Sequence, residues 1–218
     1  MNLPEQHRPR TWQAVIAQPA AVEQCQRYAA RGIGGACYWI TGNKGTGKTT
    51  IAKLLAAEIA DDVNVEESDS QWLTPARIRQ IESEYRCRAI GEKSGRVFLV
   101  NEAHGLSEES VRQLKTTLER IPSHVAWIFT TTNKEQTMLF GGGENVEALI
   151  ERCRRVELSR QGLKKAAAPW LKAIAESEGL DGRPVSDYES LMEQEKNSIR
   201  GCLERIEAGA MLPKAGKK

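Results

Sequence analysis

The clearest chemical signal in the chain is the stretch Gly42-Asn43-Lys44-Gly45-Thr46-Gly47-Lys48-Thr49, which fits the pattern G-x-x-x-x-G-K-[ST]. Glycines at those places let backbone N–H groups converge on phosphate oxygens, and a helix starting at the end of the loop adds positive potential. In such a loop Lys48 reaches the β- and γ-phosphates and Thr49 offers its hydroxyl to Mg2+. Thr50 carries the loop into the next segment. The expected ligands are ATP and Mg2+, held by residues 42–50. The alternative is a chance match in a glycine-rich turn, and the flanks oppose it. The apolar run Cys37-Tyr38-Trp39-Ile40 precedes the loop, and Ile51, Leu54, Leu55 and Ile59 follow it at helical spacing.

A second apolar run, Val97-Phe98-Leu99-Val100, ends in Asn101-Glu102-Ala103-His104. An apolar strand closing on acidic residues is the Walker B arrangement, whose first polar position usually carries an Asp in the Mg2+ shell. Here that position is Asn101. Its amide oxygen accepts hydrogen bonds but brings no charge, so weaker Mg2+ binding is expected. Glu102 stands where a base polarises an attacking water. The other reading of Glu102 is a solvated loop carboxylate. Its place at a strand end, downstream of a phosphate loop, favours the first.

These side chains need elements to hold them. Residues 37–40, 63–65, 97–100, 125–130 and 156–158 read as strands, and helices follow the loop at 42–49, Thr74 and Ser107. Thr74-Pro75 is an N-cap followed by Pro at the first helical position, with Ile78, Ile81 and Tyr85 on one face. Ser107-Glu108-Glu109 opens another helix with acidic residues near its N-terminus. Gly141-Gly142-Gly143 marks a flexible loop. Strands alternating with helices imply a parallel α/β sheet. After about Ser159 only helical patterns remain. Leu163, Ala167, Trp170, Leu171 and Ile174 share a face, and Pro169 kinks that helix or begins it. Ser186-x-x-Glu189 reads as a capping box. Ile199, Leu203 and Ile206 mark the last helix.

The chain has 218 residues, 28% of them charged, and a net charge of +2, so any nucleic-acid contact must come from a local basic patch. Arg77, Arg79, Arg86, Arg88, Lys93 and Arg96 form one such stretch, interleaved with Glu82, Glu84 and Glu92. The five cysteines are scattered without a C-x-x-C pair, which disfavours a zinc site, and their odd number disfavours a disulfide framework. Residues 1–13 lack the apolar stretch of a signal peptide, and no apolar run approaches membrane-spanning length. A cytoplasmic protein with reduced thiols and no membrane contact is expected.

The order of these elements resembles a family. The run Asn101 to Ser107, then Leu114-Lys115-Thr116-Thr117-Leu118-Glu119, then His124 to Asn133, is similar to the AAA+ ATPases of DNA sliding-clamp loaders. The likeness is to the bacterial gamma/tau subunit and the small subunits of replication factor C. Arg8-Pro9-Arg10-Thr11-Trp12 and Val15-Ile16-Ala17-Gln18 resemble that family's opening, which packs near the adenine. The resemblance runs from about Arg8 to about Leu212. It includes neither the four-cysteine zinc module of the bacterial loaders nor their helical collar domain.

The element pattern divides the chain into an α/β domain over residues 1–158, a small helical domain over 159–212 and a basic tail expected to be disordered over 213–218, and the resemblance implies that the first is a P-loop domain and the second its lid. It implies that Asn133 is the sensor that orients water or the γ-phosphate, unless it caps the next segment. Glu151-Arg152-Cys153 resembles the family's Ser-Arg-Cys motif, with Glu in place of Ser. Arg152 is then an arginine finger acting on a neighbouring subunit's ATP, or an ordinary surface charge beside Arg154 and Arg155. Arg200 is the lid arginine that reaches the same phosphate, or a partner in a lid ion pair. Arg77 and Arg79 lie on the helix with which the family tracks DNA phosphates, or on a solvated face. The implied partners are DNA and other AAA+ subunits or a sliding clamp, in an oligomer formed with ATP. Two functions follow: an ATPase acting on DNA in replication or repair, or an ATP-binding scaffold that turns over little. A small-molecule kinase is a weaker third, because it leaves Arg152 and Arg200 unexplained.

Overall fold

A computed structural model describes residues 2–87, 89–132 and 143–213, with the side chains of 143 and 144 outside that description. The chain divides into two compact units, one of Ala20–Gly42 and Lys48–Leu158, the other of Met1–Pro19, Asn43–Gly47 and Ser159–Lys218.

The first unit is built on a five-stranded parallel sheet in the order β2-β3-β4-β1-β5. Its strands are β1 (Ala36–Thr41), β2 (Val65–Asp69), β3 (Arg96–Asn101), β4 (Val125–Thr131) and β5 (Arg154–Glu157). Sequence polarity decides who sits where. Val-Ala-Trp-Ile-Phe-Thr-Thr of β4 is buried along its whole length at the centre, whereas Val-Glu-Glu-Ser-Asp of β2 is only partly buried at an edge. Helices α2 (Pro19–Arg31), α3 (Lys48–Ala57), α4 (Pro75–Glu84), α5 (Glu108–Leu118) and α6 (Gly143–Glu151) accompany the strands. Trp39, Phe98, Trp127 and Phe129 form an aromatic row in the core on which Ile78, Ile81, Val111 and Leu114 also pack. The Trp127 indole N–H donates to the Tyr85 hydroxyl at 2.7 Å, and burial pushes the Tyr85 pKa up to about 12.

Thr74 caps α4 by accepting from the Arg77 N–H, as expected, and α5 opens where expected, with Ser107 as its cap accepting from the Ser110 N–H. Three boundaries differ in kind from the sequence reading, beyond shifts of one residue at the ends of β1, β3 and β4. The second strand begins at Val65, not Val63. Residues Asp62–Asn64 form a single 3-10 turn, and Val63 is 77% exposed, so it has no face to bury. The last strand is Arg154–Glu157, beginning two residues and ending one residue earlier than expected, and the Leu158 N–H makes one more bond to the Thr41 carbonyl at 2.8 Å. Gly143 opens a helix rather than completing a loop, while Gly141 and Gly142 lie outside the described residues.

The second unit is helical, with α1 (Leu3–Gln6), α7 (Leu163–Ser177), α8 (Val185–Gln194) and α9 (Ile199–Glu207). Leu163, Leu171, Tyr188, Leu191, Leu203 and Ile206 form its core, and Leu3 joins them from the N-terminal segment. Helix α7 begins at Leu163 and continues through Pro169, so Pro169 does not start it. The expected capping box fails because α8 begins one residue before Ser186, with Pro184 at the cap. Asp181 ties α7 to α8: Lys172 lies 2.5 Å away, the Tyr188 hydroxyl donates at 2.6 Å, and both hold the Asp181 carboxyl well below the usual range. Among the described residues no helix is long and apolar enough to cross a membrane.

Candidate active site

The loop expected to bind phosphate runs from the end of β1 to the first turn of α3. Gly45 and Gly47 adopt φ of +78° and +99°, backbone that side-chain-bearing residues rarely take. Thr46 closes the loop on itself, its hydroxyl donating to the Asn43 carbonyl at 2.8 Å. Lys48 is only 8% exposed. Burial lowers its pKa, and the charge of Glu102 pulls it back up. The cation expected at the phosphates, on the first turn of α3, and the carboxylate that follows β3 thus lie near enough for their charges to interact.

Glu102 follows β3 in the left-handed region, with φ 51° and ψ 47°. For a residue with a side chain this conformation is strained and persists only where neighbours enforce it. Its carbonyl accepts from the Ser70 hydroxyl at 2.7 Å and from the Gly105 N–H at 2.9 Å. Its carboxylate, half exposed, lies 3.3 Å from His104 Nδ1 and 3.4 Å from the Thr132 hydroxyl. Asn101 accepts from the Thr130 hydroxyl at 2.9 Å and donates through Nδ2 to Glu67 at 2.8 Å. Glu67 in turn pairs with Lys53 of α3 at 2.8 Å.

In the helical unit the middle of the loop is held by two contacts. The buried Gln18 amide donates to the Ser159 carbonyl at 2.8 Å and, at the limit of a hydrogen bond, to the Thr46 carbonyl at 3.5 Å, and accepts from the Ser159 N–H at 3.0 Å. The Ile199 N–H donates to the Gly45 carbonyl at 3.3 Å, and a Cβ placed on Gly45 would come within 2.2 Å of the Ser198 hydroxyl. Lys196 and Asn197, both at positive φ, make the tight turn that delivers Ser198 there. Lys44, Arg160, Lys196 and Arg200 line a cavity of about 450 Å³ together with Glu195 and Glu204. Arg200 is largely exposed and pairs with Glu204 at 3.1 Å.

The remaining expected residues stand apart from these clusters. Arg152 forms a 2.7 Å ion pair with Glu119 and donates to the Ala148 carbonyl at 2.6 Å. Arg77 is bound by Glu66 at 2.6 Å and Glu84 at 2.8 Å, whereas Arg79 is exposed with one long contact to Gln113 at 3.4 Å. Asn133 lies outside the described residues. Thr49 and Glu102, with Glu67 beside Asn101, offer hard oxygen donors of the kind Mg2+ takes.

The sequence pattern of the ATPase family associated with various cellular activities (AAA) matches residues 38–159. The chain belongs to that family. This AAA chain is 26% identical over 223 aligned residues to DNA polymerase III subunit gamma of Buchnera aphidicola subsp. Acyrthosiphon pisum (strain APS), covering 92% of itself and 59% of the relative. It is 22% identical to DNA polymerase III subunit tau of Bacillus subtilis (strain 168), covering 70% of itself and 30% of that protein. The chain thus spans 59% and 30% of the length of these two relatives. The fold is that of the Thermotoga maritima RuvB Holliday junction branch migration motor, with a TM-score of 0.65 at 17% identity over 91% of this chain and 63% of that one. Recognition of a clamp-loader-like AAA+ chain from motif order therefore stands. Sequence reasoning passed over Glu67 and Ser198 as candidate site residues. A polar residue in a short edge strand and a serine before a helix are weak signals, and their partners are distant in sequence.

Proposed function

We propose that this chain binds ATP with Mg2+ and hydrolyses it while acting on DNA in replication or repair, in the manner of a clamp-loader subunit. The observation that carries this reading is a buried Lys48 at the first turn of α3 together with a strained, anchored Glu102 directly after β3, both in the AAA sheet unit. Strain at a catalytic glutamate and a desolvated cation at the phosphates are what preorganised phosphoryl transfer needs. Residues 42–50 would cradle the phosphates, with Lys48 on the β- and γ-oxygens. Thr49 would hold Mg2+, with Asn101 in its water shell. The metal would neutralise charge developing on the phosphates. Glu102 would polarise the water that attacks the γ-phosphorus in line. Asn133 would orient that water. Arg200, from a cavity that Lys44 shares, would reach the γ-phosphate from the helical lid formed by residues 159–212. Arg152 would leave Glu119 to act on a neighbouring subunit's ATP in an oligomer, and Arg79 would meet DNA phosphates.

The relatives named as DNA polymerase III subunits and the RuvB motor support a DNA-directed role and assembly with other AAA+ subunits or a clamp. A second reading is favoured by one observation. The Asn101 oxygen is engaged by Thr130 and its side chain brings no charge, which suits an ATP-binding scaffold with little turnover.

ATP turnover measured with and without DNA separates the two. The motor reading expects Glu102→Gln to lower turnover by roughly 10²–10⁴-fold with ATP binding retained. It expects Arg152→Ala to lower turnover by a further route, restored when the variant is mixed with Lys48→Ala chains that keep Arg152. Absence of turnover in the wild-type chain with DNA and its cognate subunits present would leave the scaffold.

A further inference from the structure

We propose that Glu67, on the strand beside Asn101, carries the negative charge of the Mg2+ site that position 101 lacks. The inference rests on the nucleotide-binding reading above and adds a residue to it.

Parallel register pairs Asp69 with Asn101 and Glu67 with Leu99, so Glu67 must lean along its strand toward the sheet's C-terminal end to meet Asn101. It does so at 2.8 Å. A carboxylate only accepts hydrogen bonds, so the Asn101 amide has to turn its NH2 toward Glu67 and its oxygen toward the Thr130 hydroxyl. The orientation is thus fixed by chemistry. The strand end presents a carboxylate after all, displaced by one strand. An Asp at position 101 would set two carboxylates at hydrogen-bond distance, where they cannot both ionise freely. Asparagine at 101 and glutamate at 67 are a matched pair.

The second arm of Glu67 points the same way. Its other oxygen meets Lys53 of α3 at 2.8 Å. Lys53 lies one helical turn after Thr49, and residues four apart share a helix face. Glu67 is therefore tied to a residue on the face of α3 that bears the hydroxyl expected on Mg2+. The Lys53 and Glu67 side chains are 42% and 35% exposed, so their ion pair is weak and exchangeable for a hydrated divalent cation.

The test is titration of Mg2+ into the chain with a fluorescent ATP analogue, beside the same binding measured in EDTA. Glu67→Gln should raise the Mg2+ concentration for half-effect about tenfold or more, the effect of losing an outer-shell partner, and leave binding in EDTA within about twofold. Lys53→Met should not raise it. The exchange Glu67→Gln with Asn101→Asp keeps one carboxylate and one amide in the pair and should return the half-effect to within about threefold of wild type. An unchanged Mg2+ requirement in a stably folded Glu67→Gln chain would overturn the inference. So would a Lys53→Met chain that loses as much, or a well-folded exchange variant that is not rescued. A wild-type chain that binds no ATP in either buffer would remove the nucleotide-site reading itself.

Discussion

Lys48 and Arg200 are both cations expected at the phosphates of ATP, and the two units prepare them in opposite ways. Lys48 of the sheet unit is 8% exposed and its pKa is depressed by burial. Arg200 of the helical unit has a side chain 64% exposed and is occupied by Glu204 one turn further along its own helix. The first is desolvated and oriented before ligand arrives. The second must give up an ion pair and side-chain freedom when it engages. Folding strain is spent where the sheet fixes geometry, and adaptability is left to the helices.

The largest expected effect follows from this contrast. Lys48→Met should weaken ATP binding by about 3–4 kcal/mol, or roughly 10²–10³-fold, the range for removing one partner of a desolvated charge pair. Calorimetric titration measures it. The same substitution should not lower the melting temperature, because an apolar side chain of similar length removes a desolvation penalty. A Lys48→Met chain that binds ATP within a few-fold of wild type would erase the distinction between the two cations.

Arg200→Ala should cost about tenfold in ATP affinity or turnover, since an exposed cation gains less from each contact. Glu204→Ala sharpens the point. Freeing Arg200 from its ion pair should strengthen ATP binding by up to about fivefold. If Arg200→Ala proves as damaging as Lys48→Met, exposure in the free chain does not govern the cation's worth.

The same contrast explains what the sequence could and could not disclose. Strands β1, β3 and β4 are read directly because Cys37 to Ile40, Val97 to Val100 and Val125 to Thr130 are continuous apolar runs. Capping by Thr74 and the helix start at Ser107 are local chemistry and are read just as directly. Helix α2 goes unread because Ala21 and Cys25 are its buried residues, too small a stripe to show a period. Ser186 and Glu189 have capping-box spacing, yet the chain enters α8 one residue earlier, at Val185. Within the site, the loop at 42–49 is contiguous and legible. Glu67 beside Asn101 and Ser198 against Gly45 are not, because each pairing depends on register or on a turn that sequence spacing does not encode.

A smaller effect separates two neighbouring arginines of α4. Arg77 is held by Glu66 and Glu84, while Arg79 is exposed. Arg77→Gln should therefore lower stability by about 1 kcal/mol, as a change in denaturation midpoint, and barely alter DNA affinity. Arg79→Gln should leave stability unchanged and reduce both DNA affinity and its dependence on salt by about one phosphate contact. The reverse assignment would mean that the Arg77 cluster opens when DNA binds.

The finest test uses protons to ask whether Lys48 really is desolvated. Burial disfavours its charged form, so in the free chain its pKa lies below the ordinary lysine value. ATP phosphates favour the charged form and raise it. The sign follows: at pH below the free-chain pKa, Lys48 is protonated in both states and ATP affinity does not change with pH through this group. As pH rises through the free-chain pKa toward the bound one, ATP binding must take up a proton, and affinity falls by up to tenfold per pH unit. Titration calorimetry in two buffers of different ionisation enthalpy reads that uptake directly, and Lys48→Met should abolish it. Because the charge of Glu102 partly restores the Lys48 pKa, Glu102→Gln should move the onset of proton uptake to lower pH. An onset that does not move would mean that Lys48 and Glu102 are electrostatically independent, and the preorganised charge arrangement that the catalytic reading needs would be lost.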